Sequence, residues 1–541
     1  MNLILPYLVL LILITDINSY NILVFCPLFG HSHSTYFGKL ADILTEAGHN
    51  VTLFTPTIID EFRNHSYTKL TKDVVHLDPN PKLKSIGDLI AGNSRYWKQE
   101  FSILEIPQSA RFFQSVTGEL HNVLSSNLPL LDKLKKKKFD LFLFESIFTC
   151  ALPLIDYLEI PAFIVAQSIT FESSSMRAMG EPVMPSYIPD LITQSSDKMT
   201  LYERFLNTAI QLLQHYFNYS PEYYLSYNNP NKRIYSMERL SDASFVFTNS
   251  NPYLDFPRAI VSKNIPIGGI SVDTENLKMG KLSEAWDQVL NRRPKTFLIA
   301  FGSVILSKDM PFEYKLVDFQ VFELSKVIVL CFVRVSLARA MEQFSDVTFI
   351  WKYEDDDTER KKTEKAKYFF KRERQFSADP RLSAFMTHGG LGSVNEVSYL
   401  GKPTIMCPIM GDQMRNAKML ARHNGSVEIS KHSLGDSKIV EEAFRKVIYD
   451  ESYTVAAKRL AEHLQNQPVK PKDLFLKHAE FAARFGKLPS LDPYSRQMGF
   501  LEYFLLDLLF IAICFITLLC LSLYFLAKFV WRLFRSKSKT E

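Results

Sequence analysis

Two doubly wound α/β domains followed by one membrane-crossing helix are what this sequence predicts. Three observations carry the prediction. Short apolar runs alternate with helical stretches in two separate series, the chain has 541 residues, and a segment near the C-terminus carries no charge. That length is well above one typical domain. Short buried strands alternating with helices make a parallel sheet covered on both faces, a Rossmann-like arrangement.

Taken in order, Leu3 to Ile14 is almost wholly apolar yet short for a membrane span, and Ser19 offers a cleavage position before Tyr20. Residues 1–19 are therefore expected to be a secretory signal, with the start amine as their only positive charge. The first series runs through Asn21–Cys26, a helical stretch Tyr36–Ala47 ending at Gly48, then Val51–Phe54, Phe139–Phe144 and Ala162–Ala166. It assigns residues 20–264 to an N-terminal domain and 265–293 to a linker. The second series is Thr296–Phe301 ending in Gly302-Ser303, Val347–Trp351, Leu382–Met386 leading into Thr387-His388-Gly389-Gly390, and Pro403–Cys407 before a helix from Asn416. It assigns 294–500 to a C-terminal domain. Ligands of such sheets bind beyond the carboxyl ends of the strands, so the loops there are where chemistry is sought.

Leu508 to Ala527 is uncharged and about as long as a helix needs to cross a bilayer. Asp507 precedes it, and Lys528, Arg532, Arg535, Lys537 and Lys539 follow it. Positive charge stays on the cytosolic side, so 528–541 is expected to be a cytosolic tail and the remainder luminal, in a single-pass type I membrane protein. Lys537 and Lys539 resemble a di-lysine retrieval signal for the endoplasmic reticulum; the other reading is that they only fix topology.

Composition narrows the function. An apolar fraction of 47% and a charged fraction of 22% suit large cores, and a net charge of +5 with no basic stripe argues against nucleic acid. Cys26, Cys150, Cys331 and Cys407 are scattered, with Cys514 and Cys520 in the span, which excludes a disulfide framework or zinc site. Asn64, Asn218 and Asn424 head glycosylation sequons. The run Lys135–Lys138 reads as a solvated helix end.

The most specific segment is Asp379-Pro-Arg-Leu-Ser-Ala-Phe-Met-Thr-His388-Gly-Gly-Leu-Gly-Ser-Val-Asn-Glu396, continuing to Gly401-Lys-Pro403 and Gly411-Asp412-Gln413. A strand enters a glycine turn and a helix begins near Leu391. Its backbone N–H groups and helix dipole make a diphosphate cradle. The whole stretch resembles the signature of the UDP-glycosyltransferases, in the animal UDP-glucuronosyltransferase branch and closest to nematode members. The likeness extends through Leu40-Ala-Asp42, Gly48-His-Asn-Val51, Pro185-Ser-Tyr187, Asp197-Lys-Met199, Phe301-Gly-Ser303, Phe349-Ile-Trp-Lys352, His478-Ala-Glu-Phe481 and Leu491-Asp-Pro-Tyr-Ser-Arg496.

That resemblance implies the GT-B fold, with an acceptor domain and a UDP-sugar domain facing a cleft. It implies that His388, Gly390 and Gly392 meet the diphosphate with Ser303 beside them, that Glu396 binds the ribose, and that Asp412 and Gln413 bind the sugar. A carboxylate suits vicinal hydroxyls because it accepts two hydrogen bonds at once. The catalytic base is expected in Phe29-Gly-His-Ser-His33; the family's Ser-His pattern points to His33, with His31 as the alternative. The orienting carboxylate falls at Glu145 where the family has aspartate, with Asp140 as the alternative at the other end of the strand.

The family uses no metal and no cofactor: UDP-glucuronate or UDP-glucose is a co-substrate, and the departing UDP is neutralised by backbone amides and His388. Asp355-Asp356-Asp357 contains an Asp-x-Asp, but within a polar stretch that reads as a solvated loop. Implied partners are the UDP-sugar, a small lipophilic acceptor such as a xenobiotic, the membrane, and a homo- or hetero-oligomer.

The pattern breaks twice. Residues 316–335 look like extra sequence, either a genuine insertion or a retained intron. Ahead of Ala378-Asp379-Pro380, the family's Trp-x-Pro-Gln is replaced by Phe369-Phe-Lys-Arg-Glu-Arg-Gln-Phe376, where Phe370 is a candidate stacking surface for uracil while Arg372 and Glu373 do not match. The expected activity is an inverting hexuronosyl or hexosyl transfer in the endoplasmic reticulum. The alternative is a catalytically impaired, membrane-anchored binding or partner subunit.

Overall fold

A computed structural model describes residues 19–91, 94–100, 102–227, 237–273, 282–302, 306–311, 314, 323–324, 327–328, 336–352, 368–369 and 377–537. The signal segment up to residue 18, Ser303, Asp355–Asp357, Phe370–Phe376, Cys331, Lys539 and most of 316–335 lie outside the described residues.

Seven parallel strands form the first sheet: β1 (Asn21–Phe25), β2 (Asn50–Pro56), β3 (Asp73–Leu77), β4 (Leu141–Phe144), β5 (Ala162–Gln167), β6 (Val246–Thr248) and β7 (Asn264–Pro266). Their spatial order is β3-β2-β1-β4-β5-β6-β7. The second sheet uses β8 (Lys295–Ala300), then, after the short antiparallel pair β9 (Glu323–Leu324) and β10 (Val327–Ile328), β11 (Val347–Trp351), β12 (Tyr368–Phe369), β13 (Leu382–Thr387), β14 (Thr404–Met406) and β15 (Ser426–Glu428). Its order is β12-β11-β8-β13-β14-β15, again all parallel. Strand β7 takes up Ile265 and Pro266, which the sequence reading gave to the linker.

Side-chain alternation explains why each sheet has two cores. Along β1, Leu23 and Phe25 enter one hydrophobic cluster while Ile22 and Val24 enter the other. Along β8, Phe297 and Ile299 face one side and Leu298 and Ala300 the opposite side. Strands buried on both faces read as continuous apolar runs, which is why β1, β4, β8 and β13 were visible in the sequence.

Segments of each domain pack into the other's core. The helix Pro471–Phe485 follows the second sheet in sequence, yet Phe475, Ala479 and Ala482 pack into the core of the first. In the other direction, fully buried Trp97 joins the second sheet's core, its ring 5.2 Å from that of Phe301 and its indole N–H donating to the Leu306 carbonyl at 3.2 Å.

Residues Asp492–Glu541 form a separate unit. Within it the helix Leu506–Lys537 contains a 27-residue stretch, Leu506–Arg532, of mean hydropathy 2.7. It is long and apolar enough to cross a membrane.

Candidate active site

In each sheet the strand order reverses between two neighbours, and crevices open where helices leave such a switch point in opposite directions. In the first sheet the switch lies between β1 and β4, whose carboxyl ends lead to His33 and Glu145. In the second it lies between β8 and β13, which lead to Gly302 and His388. The topology alone therefore selects the two segments in which the sequence places chemistry.

The helix after β1 begins at His31, so Phe29–His33 is not a free loop but a turn passing into the helix His31–Glu46. Residues 31 and 33 lie roughly 200° apart around a helix axis, so they cannot share a function. His33 Nδ1 is 2.8 Å from Glu145 Oε2 and 3.0 Å from Oε1. His31 instead sits against the rings of Phe62, His65 and Tyr67. Asp140 is spent elsewhere, its carboxylate accepting the Asn21 N–H at 2.7 Å at the start of β1. Glu145 is the carboxylate that reaches a histidine.

Glu145 is 3% exposed and His33 22%. The Phe29 ring lies 4.4 Å from the imidazole. Ser168, just beyond β5, completes the cluster: its N–H donates to Glu145 Oε1 at 3.1 Å, its hydroxyl bonds the same oxygen, and that hydroxyl lies 2.7 Å from His33 Nδ1. Burial pushes the His33 imidazole down. The Glu145 carboxylate, by charge and by hydrogen bond, and the Asp412 carboxylate together outweigh that, and leave it raised.

On the second sheet, the turn after β13 holds Gly389 at φ +86° and the helix Leu391–Leu400 starts from Gly390 with no side-chain cap. An uncapped helix start leaves first-turn N–H groups for an anion. Two glycines make room for the His388 ring. A Cβ on Gly390 would stand 2.6 Å from His388 Nε2, and one on Gly302, at φ +95°, 2.7 Å from the same atom. Gly392 faces open space and Glu396 is half-buried on the same helix.

Asp412 and Gln413 open the next helix, Gln413–Ala421. The Gln413 carboxamide oxygen accepts the Ile409 and Met410 N–H groups at 2.9 and 3.0 Å, which turns its amide nitrogen the other way. Burial raises the Asp412 pKa against the pull of Asn416, His33 and Arg415. The buried Asn416 amide donates to Asp412 at 2.8 Å and to the Gly389 carbonyl at 3.1 Å, tying the glycine turn to the acid. Sequence reasoning passed over Asn416 and Ser168. For Asn416 the signal was its i+4 spacing from Asp412. For Ser168 it was its position at a strand's carboxyl end.

Asn64 and Asn424 are exposed, while Asn218 lies within the helix Leu201–Tyr227.

Comparison with known proteins agrees with this architecture. The profile of the family described as "UDP-glucoronosyl and UDP-glucosyl transferase" matches residues 21–308 and 326–540. The unmatched residues between them overlap the segment 316–335 that the sequence reading marked as extra. The Caenorhabditis elegans relative ugt-47 is 25% identical over 92% of this chain and 91% of its own length. Human UDP-glucuronosyltransferase 1A3 is 24% identical over 90% and 88%. Among solved structures, Phytolacca americana UGT2, complexed with UDP-2fluoro-glucose and pterostilbene, superposes with a TM-score of 0.54 at 12% identity, covering 86% of this chain and 99% of its own. With the family profile matched along most of the chain and two parallel sheets in the GT-B arrangement, the chain belongs to the UDP-glycosyltransferase family and is a glycosyltransferase.

Proposed function

We propose that this protein transfers a hexuronosyl or hexosyl group from a UDP-sugar to the hydroxyl of a small lipophilic acceptor, with inversion at the anomeric carbon. The observation that carries the reading is the His33–Glu145 contact at 2.8 Å beyond the switch point of the first sheet. Nδ1–H donates to Glu145, which leaves Nε2 as the proton acceptor. The acceptor oxygen attacks C1 of the sugar, its proton passes to His33 Nε2, and the bond from C1 to the diphosphate oxygen breaks. His388 and the N–H groups at Gly390 and Gly392 take the charge on the departing UDP, with Ser303 alongside. Glu396 receives the ribose hydroxyls, and Asp412 and the Gln413 amide nitrogen the sugar hydroxyls. No metal or cofactor enters these steps. The apolar helix anchors the enzyme in the endoplasmic-reticulum membrane with its catalytic domains luminal, where acceptors that partition into lipid are concentrated, and Asn64 and Asn424 are exposed to glycosylation.

A titration of the detergent-solubilised full chain with UDP, followed by a panel of UDP-glucuronate and UDP-glucose, tests the reading. Saturable UDP binding and turnover of one donor are expected. Absence of affinity for UDP and for every donor would end the enzymatic reading. Binding without turnover would leave a membrane-anchored binding or partner subunit.

The pH dependence has a defined sign. His33 acts as base when neutral, so kcat/KM falls as pH drops through its pKa, which stands above the usual histidine value. Glu145→Gln removes the charge that counters burial, so the acid limb should move to lower pH. The plateau should fall roughly 100-fold because the imidazolium loses its counter-charge. An acid limb that stays put would separate Glu145 from the base.

A further inference from the structure

We infer that Ser168, Asn249 and Asn395 are positioning residues, linked into a hydrogen-bond chain that joins the His33–Glu145 pair on the first sheet to the helix after the His388 turn on the second. This rests on the reading of His33 as base and adds how its partner is held.

The chain can be followed bond by bond. Ser168 binds Glu145 Oε1 through its N–H at 3.1 Å and through its hydroxyl, which sets the carboxylate with Oε2 at 2.8 Å and Oε1 at 3.0 Å from His33 Nδ1. The Ser168 carbonyl accepts the Asn249 amide at 2.9 Å. Asn249 Oδ1 in turn accepts Nδ2 of Asn395 at 3.3 Å. Asn395 belongs to the helix Leu391–Leu400, next to Glu396. All three residues are buried.

Each amide has one orientation available. The Asn249 nitrogen must face a carbonyl, so its oxygen faces Asn395, whose nitrogen must then face Asn249. Buried Asn395 Oδ1 accepts no hydrogen bond among the described residues. An unpaired buried acceptor destabilises, and leucine would fill a similar volume without it. The bond that Asn395 donates is the compensation visible in the structure. The need for such a hold follows from Glu145 itself. Glutamate has one methylene more than aspartate and one more torsion to fix, and two donors on a single oxygen fix it.

The groups that bear on His33 are Glu145 beyond β4 and Asp412 ahead of the Gln413 helix, with Cys26 and Tyr36 facing Glu145 from β1 and the His33 helix. A loosened Glu145 leaves burial less opposed, so His33 should become neutral at lower pH.

The test uses the full chain in detergent, with Ser168→Ala, Ser168→Thr, Asn395→Leu and the double variant S168A/N395L. Diethyl pyrocarbonate modifies neutral imidazole, and mass spectrometry of the His33 peptide across pH reports its titration without any need for turnover. S168A and N395L should both move that midpoint to lower pH. Both should also cut kcat by roughly tenfold to a hundredfold, with KM for the UDP-sugar within about twofold. The penalty of S168A/N395L should fall short of the product of the two single penalties, because both loosen the one Glu145 carboxylate, and Ser168→Thr should keep the wild-type midpoint. If N395L does not fold, Asn395→Ala takes its place. A wild-type midpoint in the Asn395 variant, or penalties that multiply in the double variant, would overturn the proposal. If the wild type turned over no donor while the midpoints still moved, the chain of contacts would stand and the catalytic reading would fall.

Discussion

Replacing His33 with alanine is expected to abolish sugar transfer, by about 1,000-fold or more, while UDP affinity stays within about twofold. The two expectations have separate physical sources. Transfer needs a neutral nitrogen where the acceptor hydroxyl loses its proton, and among the described residues His33 is the histidine whose second nitrogen is held by a buried carboxylate. In the proposed reading UDP binding depends on the His388 turn of the other sheet, which His33 does not build. His31→Ala is the matched control. It removes an imidazole two residues away whose ring packs on Phe62, His65 and Tyr67, so the rate of transfer should stay near wild type. Single-turnover rates and equilibrium titration with UDP check both variants. A His33→Ala enzyme that kept a tenth of its activity would remove the base assignment. Loss of UDP affinity in the same variant would show that His33 supports the donor site instead.

The parts of this site that could be read in the sequence are those whose signal is local. Continuous apolar runs announced β1, β4, β8 and β13, the rule about carboxyl ends pointed to the loops past them, and the resemblance to the family picked out His33, Glu145, Ser303 and His388 within those loops. Strand β3, Asp73-Val-Val-His-Leu, escaped because it lies at the sheet edge with two exposed positions. Strands β6, β7 and β15 are three residues long and give no periodicity to detect. The choice between His31 and His33 turned on where the helix begins. Its observed start precedes the periodic stretch Tyr36–Ala47 by a turn and a half, since Gly30 ends the extended segment and His31 is already helical.

Other residues were illegible for a different reason. Ser168, Asn249 and Asn395 are small polar residues whose partners lie 81 and 146 positions apart along the chain, and no spacing within one element encodes that. The same holds for Arg415. A cation on a helix normally reads as solvent-facing, and its complete burial appears only when the two domains are brought together.

Arg415→Ala is expected to destabilise the two packed domains by about 3–5 kcal/mol. Arg415 lies in the helix Gln413–Ala421 of the second sheet's domain, yet every polar contact it makes outside its own helix is with the first. Nε donates to the Pro189 carbonyl at 3.1 Å, Nη1 donates to Thr170 Oγ1 at 2.7 Å, and Nη2 pairs with Asp255 at 2.8 Å. The guanidinium also stands 5.1 Å from the Phe256 ring and 5.9 Å from Phe171. Alanine would strand the Asp255 carboxylate in a buried setting, where among the described residues the Ser250 hydroxyl and the Phe256 N–H still compensate it. Part of the loss is offset nearby, because Arg258, pushed down to about 9 by burial and by the Arg415 charge, would be relieved of that repulsion. Arg415→Lys keeps the charge but cannot fork to three partners, so it should fall between wild type and alanine. Asp255→Asn combined with Arg415→Ala should cost less than the two single losses added, since the stranded charge is gone. Thermal unfolding in detergent, followed by intrinsic fluorescence, orders the wild type, the three single variants and the double variant. Because Asn416, the next residue, fastens the Gly389 carbonyl, the alanine variant should also raise KM for the UDP-sugar more than it lowers kcat. An Arg415→Ala protein that melts at the wild-type temperature would mean that the remaining contacts between the domains, among them the Trp97 insertion, the Pro471–Phe485 crossover and the Asn251–Tyr399 hydrogen bond, hold them without it.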